Sequence, residues 1–404
     1  MHVTAAGKGW KMTSLSIRAE HLGTETAFSV LARAASLAEQ GRDIINLGIG
    51  QPDFPTPPHI VEAAVKALKD GHHGYTPSSG VSQLREAVSG DILRRHDKMV
   101  PPSRIQILPG GKVVIFFSAM LAGEPGTEII YPDPGFPIYE SAIRFSGASA
   151  IPYPLEEERG FAFSADAVLE RITEKTRLII VNSPANPTGG ITPREEFDKL
   201  VKGLRDHPKV LLMSDEIYDQ LVFDSTDSVS LLDWPELEDR LIILNGWSKT
   251  YAMTGWRLGY AVWPQQLVEA ADRLAVNIHS CVNAAAQQAA LEALTGPQDC
   301  VAEMLSAFSR RARLITDRLN ALPGINCQLP RGAFYAFPNI TGTGFSSADL
   351  QTGLLEEEGV AVISGTSFGK QGEGFLRFSC ANSDAAINMA LDRFALMLEK
   401  RSNS

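Results

Sequence analysis

Short, unbroken apolar runs alternate with amphipathic helical patterns through the middle of this 404-residue chain. The runs are "EIIYP" around Ile129, "RLIIVNSP" around Ile180, "KVLLMSD" around Leu211 and "LIILNG" around Ile243. A strand that is apolar at every position has no face for water, so such runs predict a mostly parallel sheet covered by helices on both sides. The intervening segments carry helix signals. "TPPHIVEAAVKALKDG" reads as a helix capped by Thr56, apolar at Ile60, Ala63, Ala64, Ala67 and Leu68, and stopped at Gly71. "TPREEFDKLVKGL" offers Thr192 and Glu195 as a capping box, with Phe197, Leu200, Val201 and Leu204 as the buried stripe.

The last third changes character. A long helical stretch from about Gln298 to Leu319 precedes three short strand patterns, "GAFYAFP", "GVAVISG" and "FLRFSC". A final helix follows, with Ile387, Ala390, Leu391, Phe394 and Leu398 on one face. The expected fold class is α/β: a large domain at residues 55–297, and a smaller α+β domain at 298–404. Residues 1–54 supply an N-terminal arm and part of the small domain.

Composition narrows the function. A formal charge of −10 argues against nucleic acid and anionic membrane partners, both of which reward basic patches. The four cysteines form no CxxC pair, so neither a zinc site nor a disulfide framework is expected, and a reducing cytoplasm fits. The first residues, "MHVTAAGKGWKM", have no apolar core of a signal peptide and read as an arm, or as a leader to a start at Met12.

Ligands of open α/β sheets sit beyond the carboxyl ends of the strands. "IQIL" is followed by Gly110, Gly111 and Lys112 and then a helical run; "EIIYP" by "DPGFPIYE" with Phe136; "RLIIV" by "NSPANPTGG" with Asn186. "KVLLMS" is followed by "DEIY" with Asp215 and Tyr218, and "LIILN" by "GWSK" with Lys249. Taken singly, Asp215 could be a helix cap, Lys249 a surface amine, and the Asn-Pro-Thr-Gly run a turn. Together they bring polar groups to one edge of one sheet. Arg377 lies in the apolar run "FLRFSC", where a buried guanidinium requires an anion, either a substrate or an internal carboxylate.

These motifs, with "NLGIGQPDF", "GYTPSSG" and "SKTYAMTGWRLGY", resemble the class I/II aminotransferases, pyridoxal-phosphate enzymes of fold type I, and the resemblance spans nearly the whole chain. It implies pyridoxal 5'-phosphate as cofactor, an amino acid and a 2-oxo acid as substrates, and a homodimer with shared sites. Lys249 would bond covalently to the cofactor and carry the proton. Asp215 would pair with the ring nitrogen, Asn186 and Tyr218 would bind the ring oxygen, and Phe136 would stack on the ring. Arg257, Gly110, Gly111 and Lys112 would hold the phosphate, joined by Tyr75 from the neighbouring subunit. Arg377 would clamp the α-carboxylate, helped by Gly50, Phe136 and Asn186, and Lys112 would meet the distal carboxylate of an acidic donor such as aspartate. Gly246 departs from the pattern, since many relatives carry a phosphate-binding serine there. Other chemistry on the same cofactor, such as β-elimination by a C–S lyase or decarboxylation, shares these residues. A ligand-sensing regulator would need a DNA-binding domain, for which the chain offers no basic helix.

Overall fold

The computed structural model describes residues 16–23, 26–223 and 229–402. The proposed arm at residues 1–11 lies outside them. Among the described residues, seven strands form the central sheet. Their spatial order is Ile105–Leu108, Gly259–Val262, Leu241–Gly246, Leu211–Asp215, Thr176–Asn182, Glu128–Asp133 and Ser149–Pro154. Gly259–Val262 runs opposite to the other six strands, antiparallel to both of its neighbours.

The apolar runs are buried on both faces because side chains alternate across a strand. Ile179, Val181, Leu212, Leu241 and Ile243 enter one core, against Leu84, Val88, Phe197 and Leu200 of flanking helices. Leu178, Ile180, Met213, Ile242 and Leu244 enter the other, against Val114, Ile115, Ala142 and Ala271. Each fully buried aliphatic side chain contributes about 1.5–3 kcal/mol, so the two layers hold the strand ends in fixed register. Asn182 pairs with Asp215, and Asp215 with Leu244.

A third core joins the end of the chain to its beginning. Helices Asp299–Asn320, Ser347–Glu356 and Asp384–Ser402 bury Phe308, Leu350, Leu354, Ile387, Leu391 and Phe394 with Ile45 and Leu47. Ile45–Asn46 pairs in parallel with Val360–Ala361. Leu376–Ser379 lies antiparallel between Ile363–Ser364 and Tyr335–Ala336. Arg33 of helix Thr26–Glu39 adds a 2.7 Å ion pair to Glu356.

Three local expectations need correction. Thr56 is not a cap: the helix is Pro58–Lys69 with Pro57 at the cap position, and Thr56 Oγ1 instead donates to Ala252 O at 2.7 Å. Thr192 and Glu195 form no capping box, because the helix starts at Arg194 behind Pro193, which leaves Thr192 outside it. Leu68 is exposed together with Val61 and Val65, so that helix shows a second apolar stripe to solvent. No described helix is long and apolar enough to cross a membrane.

Candidate active site

The carboxyl ends of the parallel strands open into a cavity of about 430 Å³. Its walls include ten of the residues singled out from sequence: Gly50, Gly111, Lys112, Phe136, Asn186, Asp215, Tyr218, Lys249, Arg257 and Arg377. Three further segments close it: Ala27, Phe28 and Leu31 of helix Thr26–Glu39, Ser248 beside the lysine, and Tyr335.

Asp215 is the last residue of its strand and is buried. Tyr139 Oη donates to its Oδ2 at 2.6 Å and Ile217 N to its Oδ1 at 3.2 Å. Burial pushes the carboxyl up to about 6, while the Tyr139 bond, the Ile217 N–H and the nearby Lys249 charge oppose that rise. A carboxylate has about four acceptor positions, so Asp215 keeps capacity for a cationic N–H from the cavity. Asn182, its partner in register, donates from Nδ2 to Asp215 O at 2.9 Å and accepts from Asn186 N at Oδ1 at 3.0 Å.

The segment Leu47–Gln51 runs past two cations. Gly50 O accepts from Lys249 Nζ at 2.5 Å, and Gly48 O accepts from Arg377 Nη2 at 2.6 Å. One short stretch therefore steadies both side chains. A Cβ on Gly50 would stand 2.3 Å from Tyr335 Oη, so only glycine lets the chain pass there.

Arg377 is 3% exposed. Its Nη1 donates to Asn186 Oδ1 at 2.9 Å, and its guanidinium lies 4.5 Å from the Tyr335 ring centre and 4.6 Å from that of Phe368. Its Nε is buried without a partner, and no carboxylate pairs with it among the described residues. The internal ion pair is therefore not what holds this arginine.

At the other end of the cavity Gly110 adopts φ +96 and precedes helix Gly111–Ala122. A Cβ there would lie 2.3 Å from Arg257 Nη2. Arg257 itself is held at φ +55 and donates from Nη1 to Thr254 O at 2.8 Å. A guanidinium set against a helix amino terminus makes a site for a doubly charged anion. Gly246 belongs to the same packing: its Cβ would meet Gly259 Cα at 2.8 Å. The neighbouring backbone thus excludes a serine, and the departure from the common pattern is built into the sheet. Lys112 Nζ lies 5.2 Å from the Phe28 ring centre and 5.5 Å from that of Phe136, at the cavity wall. Gly110 stands just behind the wall against Arg257, whereas Tyr75 is 93% exposed and does not line the cavity.

Residues 42–394 match the family described as aminotransferase class I and II. The chain belongs to this aminotransferase family. Among curated relatives, the probable aspartate/prephenate aminotransferase of Aquifex aeolicus is 36% identical over 96% of this chain and 99% of that protein. The aspartate aminotransferase of Bacillus subtilis is 35% identical over 96% of this chain and all of that one. Among solved structures, the aspartate aminotransferase of Rhizobium meliloti superposes with a TM-score of 0.91 at 33% identity, covering 96% and 99%. That of Thermus thermophilus with maleate gives 0.91 at 33% identity, covering 96% and 100%. The chain is an aminotransferase of fold type I, and its cofactor is pyridoxal 5'-phosphate.

The aminotransferase cavity suits that cofactor on its own chemistry. The amine of Lys249, the buried acid Asp215, and the Gly110–Arg257 cradle match the cofactor's aldehyde, ring nitrogen and phosphate in kind.

Sequence reasoning passed over Tyr139, Asn182 and Tyr335. The first two were findable: Asn182 ends an apolar strand, and Tyr139 sits one turn beyond Phe136 on helix Ile138–Ser146. Tyr335 carries no such signal, since "GAFYAFP" reads as core.

Proposed function

We propose that the enzyme transfers the amino group of an acidic L-amino acid, aspartate first, to a 2-oxo acid. The observation carrying this reading is the buried, partly unsatisfied guanidinium of Arg377 on the same cavity as the Lys249 amine. A guanidinium fork there is matched to a carboxylate in bidentate geometry. Lys112 at the cavity wall supplies a second cation for a distal carboxylate.

When bound, pyridoxal phosphate supplies an electron sink for the pair left as the substrate's Cα loses its proton. Asp215 would keep the ring nitrogen protonated, and Tyr218 and Asn186 would donate toward the ring oxygen. Phe136 would pack against the ring, and Gly110, Gly111, Lys112 and Arg257 would hold the phosphate. Arg377 and Gly50 orient the substrate so that its Cα–H faces Nζ of Lys249, which takes the proton and returns it. Tyr218 and Phe334 flank that amine, their ring centres 5.9 and 5.7 Å from Nζ, and limit its hydration.

The enzyme works as a cytoplasmic homodimer in which Tyr75 reaches the neighbouring subunit's phosphate. The near-complete exposure of Tyr75 and the exposed stripe Val61, Val65 and Leu68 support that reading. Residues 55–297 form the large unit and 298–404 the small one, with 1–54 as arm and part of the small one.

The test is a panel of amino acids, each mixed alone with the cofactor-loaded enzyme. Aspartate and glutamate should convert the cofactor to its amine form fastest, yielding oxo acid without free ammonia. Ammonia release, or carbon dioxide release with glutamate as donor, would sink the transaminase assignment in favour of elimination or decarboxylation; equal rates for alanine would sink the acidic preference.

A further inference from the structure

Tyr335 stands where the parts of the site meet, and none of the roles above uses it. It is 1% exposed and comes from the short strand Tyr335–Ala336, beside the strand of Arg377. Its Oη lies 3.0 Å from Tyr218 Oη, in the pair of hydroxyls at the cavity wall. Its ring centre lies 4.5 Å from the Arg377 guanidinium, which also lies 4.6 Å from the ring centre of Phe368. The backbone of Gly50, which holds Lys249, passes its hydroxyl so closely that no Cβ fits between them.

We infer that Tyr335 is a positioning residue with two separable actions: its hydroxyl orients and polarises Tyr218, and its ring fixes the plane of Arg377. The inference rests on Tyr218 donating to the cofactor's ring oxygen, as proposed above. For Tyr218 to spend its proton there, the hydroxyl pair must be polarised one way, with Tyr335 donating and Tyr218 accepting. A hydroxyl that accepts a hydrogen bond donates more strongly itself. The chain Tyr335 to Tyr218 to ring oxygen therefore stabilises the negative charge on that oxygen. The ring acts differently. Arg377 Nη1 and Nη2 are tied to Asn186 and Gly48, and the two aromatic faces stop the guanidinium from rotating out of that plane. A desolvated cation over an aromatic face is held more tightly than one in water.

The two actions separate by substitution. Tyr335→Phe removes the hydroxyl and keeps the ring; Tyr335→Leu removes both. The readouts are the pH at which the visible band of the cofactor-loaded enzyme changes, and KM and kcat for aspartate. With its oxygen less stabilised, the Lys249-bound cofactor keeps its proton to higher pH. In Tyr335→Phe the spectral transition should move upward, in the direction of Tyr218→Phe and by less, with KM changed less than about twofold. In the double variant Tyr218→Phe/Tyr335→Phe it should move no further than in Tyr218→Phe alone. Tyr335→Leu should add a rise in KM of about tenfold. A spectral transition unmoved in Tyr335→Phe while Tyr218→Phe moves it would overturn the hydroxyl's role. If Tyr218→Phe moves nothing, the assignment of Tyr218 falls and this inference with it. Should Tyr335→Leu not fold, Tyr335→Phe still decides the hydroxyl, and Phe368→Leu tests the second ring contact to Arg377 through KM.

Discussion

Tyr139 Oη donates a 2.6 Å hydrogen bond to Oδ2 of Asp215, and the pair is closed from solvent at the floor of the cavity. Burial raises the carboxyl from an ordinary 3.8 to about 6. The folded, cofactor-free protein therefore holds a proton between those values that the unfolded chain has released. Stability from this group is complete below about pH 4 and is lost as pH rises through 6, an effect of about 3 kcal/mol. Cofactor-free Asp215→Asn should gain on cofactor-free wild type by about that amount between pH 4 and 7. Urea unfolding at both pH values checks this, and a pH-independent difference would contradict the burial argument.

Lys249 is the cavity amine, and its Nζ donates to Gly50 O. Lys249→Ala should lose the visible band of covalently held cofactor, and turnover should fall by about a thousandfold or more. Borohydride reduction of the wild type should fix the cofactor on Lys249; recovery of the label on Lys112 would show the assignment to be wrong.

Gly246 and Gly110 have no room for a side chain, for different reasons. Gly246→Ser drives a Cβ into Gly259 and should cost about 1–3 kcal/mol of stability by overpacking. Gly110→Ala meets both φ +96 and Arg257, so it should weaken cofactor retention by about tenfold or more. Chemical denaturation and cofactor equilibrium dialysis distinguish the two. A Gly246→Ser variant as stable as wild type, with tighter cofactor binding, would mean the sheet can open for the serine.

Tyr75 lies outside its own chain's cavity. Mixing inactive Tyr75→Phe and Lys249→Ala dimers should restore up to about a quarter of wild-type activity, because half the recombined dimers carry one site intact in both residues. Absence of recovery, with subunit exchange demonstrated, would place Tyr75 in its own chain's chemistry or in none.

Lys112 stands beside Phe28 and Phe136 on the cavity wall. A partly exposed charge pair is worth about 1 kcal/mol, so Lys112→Ala should lower kcat/KM for aspartate about fivefold more than for alanine. Equal losses for both substrates would assign Lys112 to the phosphate.

The strands and their cavity-facing ends were legible in the sequence because their signals are local. An unbroken apolar run such as "LIILNG" has one stable placement, inside a sheet covered twice, and the polar residue that ends it must then face the sheet edge. Asp215, Lys249, Asn186 and Gly110 were found by that rule, and Arg257 from motif and spacing. The caps were not so decided. Thr56 and Thr192 have the chemistry of capping residues, yet prolines set the helix starts one residue later, and Thr56 was taken by Ala252 in a distant loop.

Sequence by itself determined the alternating layers, the strand-end chemistry and the family. Only the tertiary structure decided which residues support them. Tyr335 and Phe368 meet Arg377 and Tyr218 from segments far apart in the chain, and each has a local pattern identical to that of a core residue. Whether an aromatic side chain fills a core or braces a guanidinium depends on what packs against it, and packing partners are assigned by folding, not by neighbours in sequence.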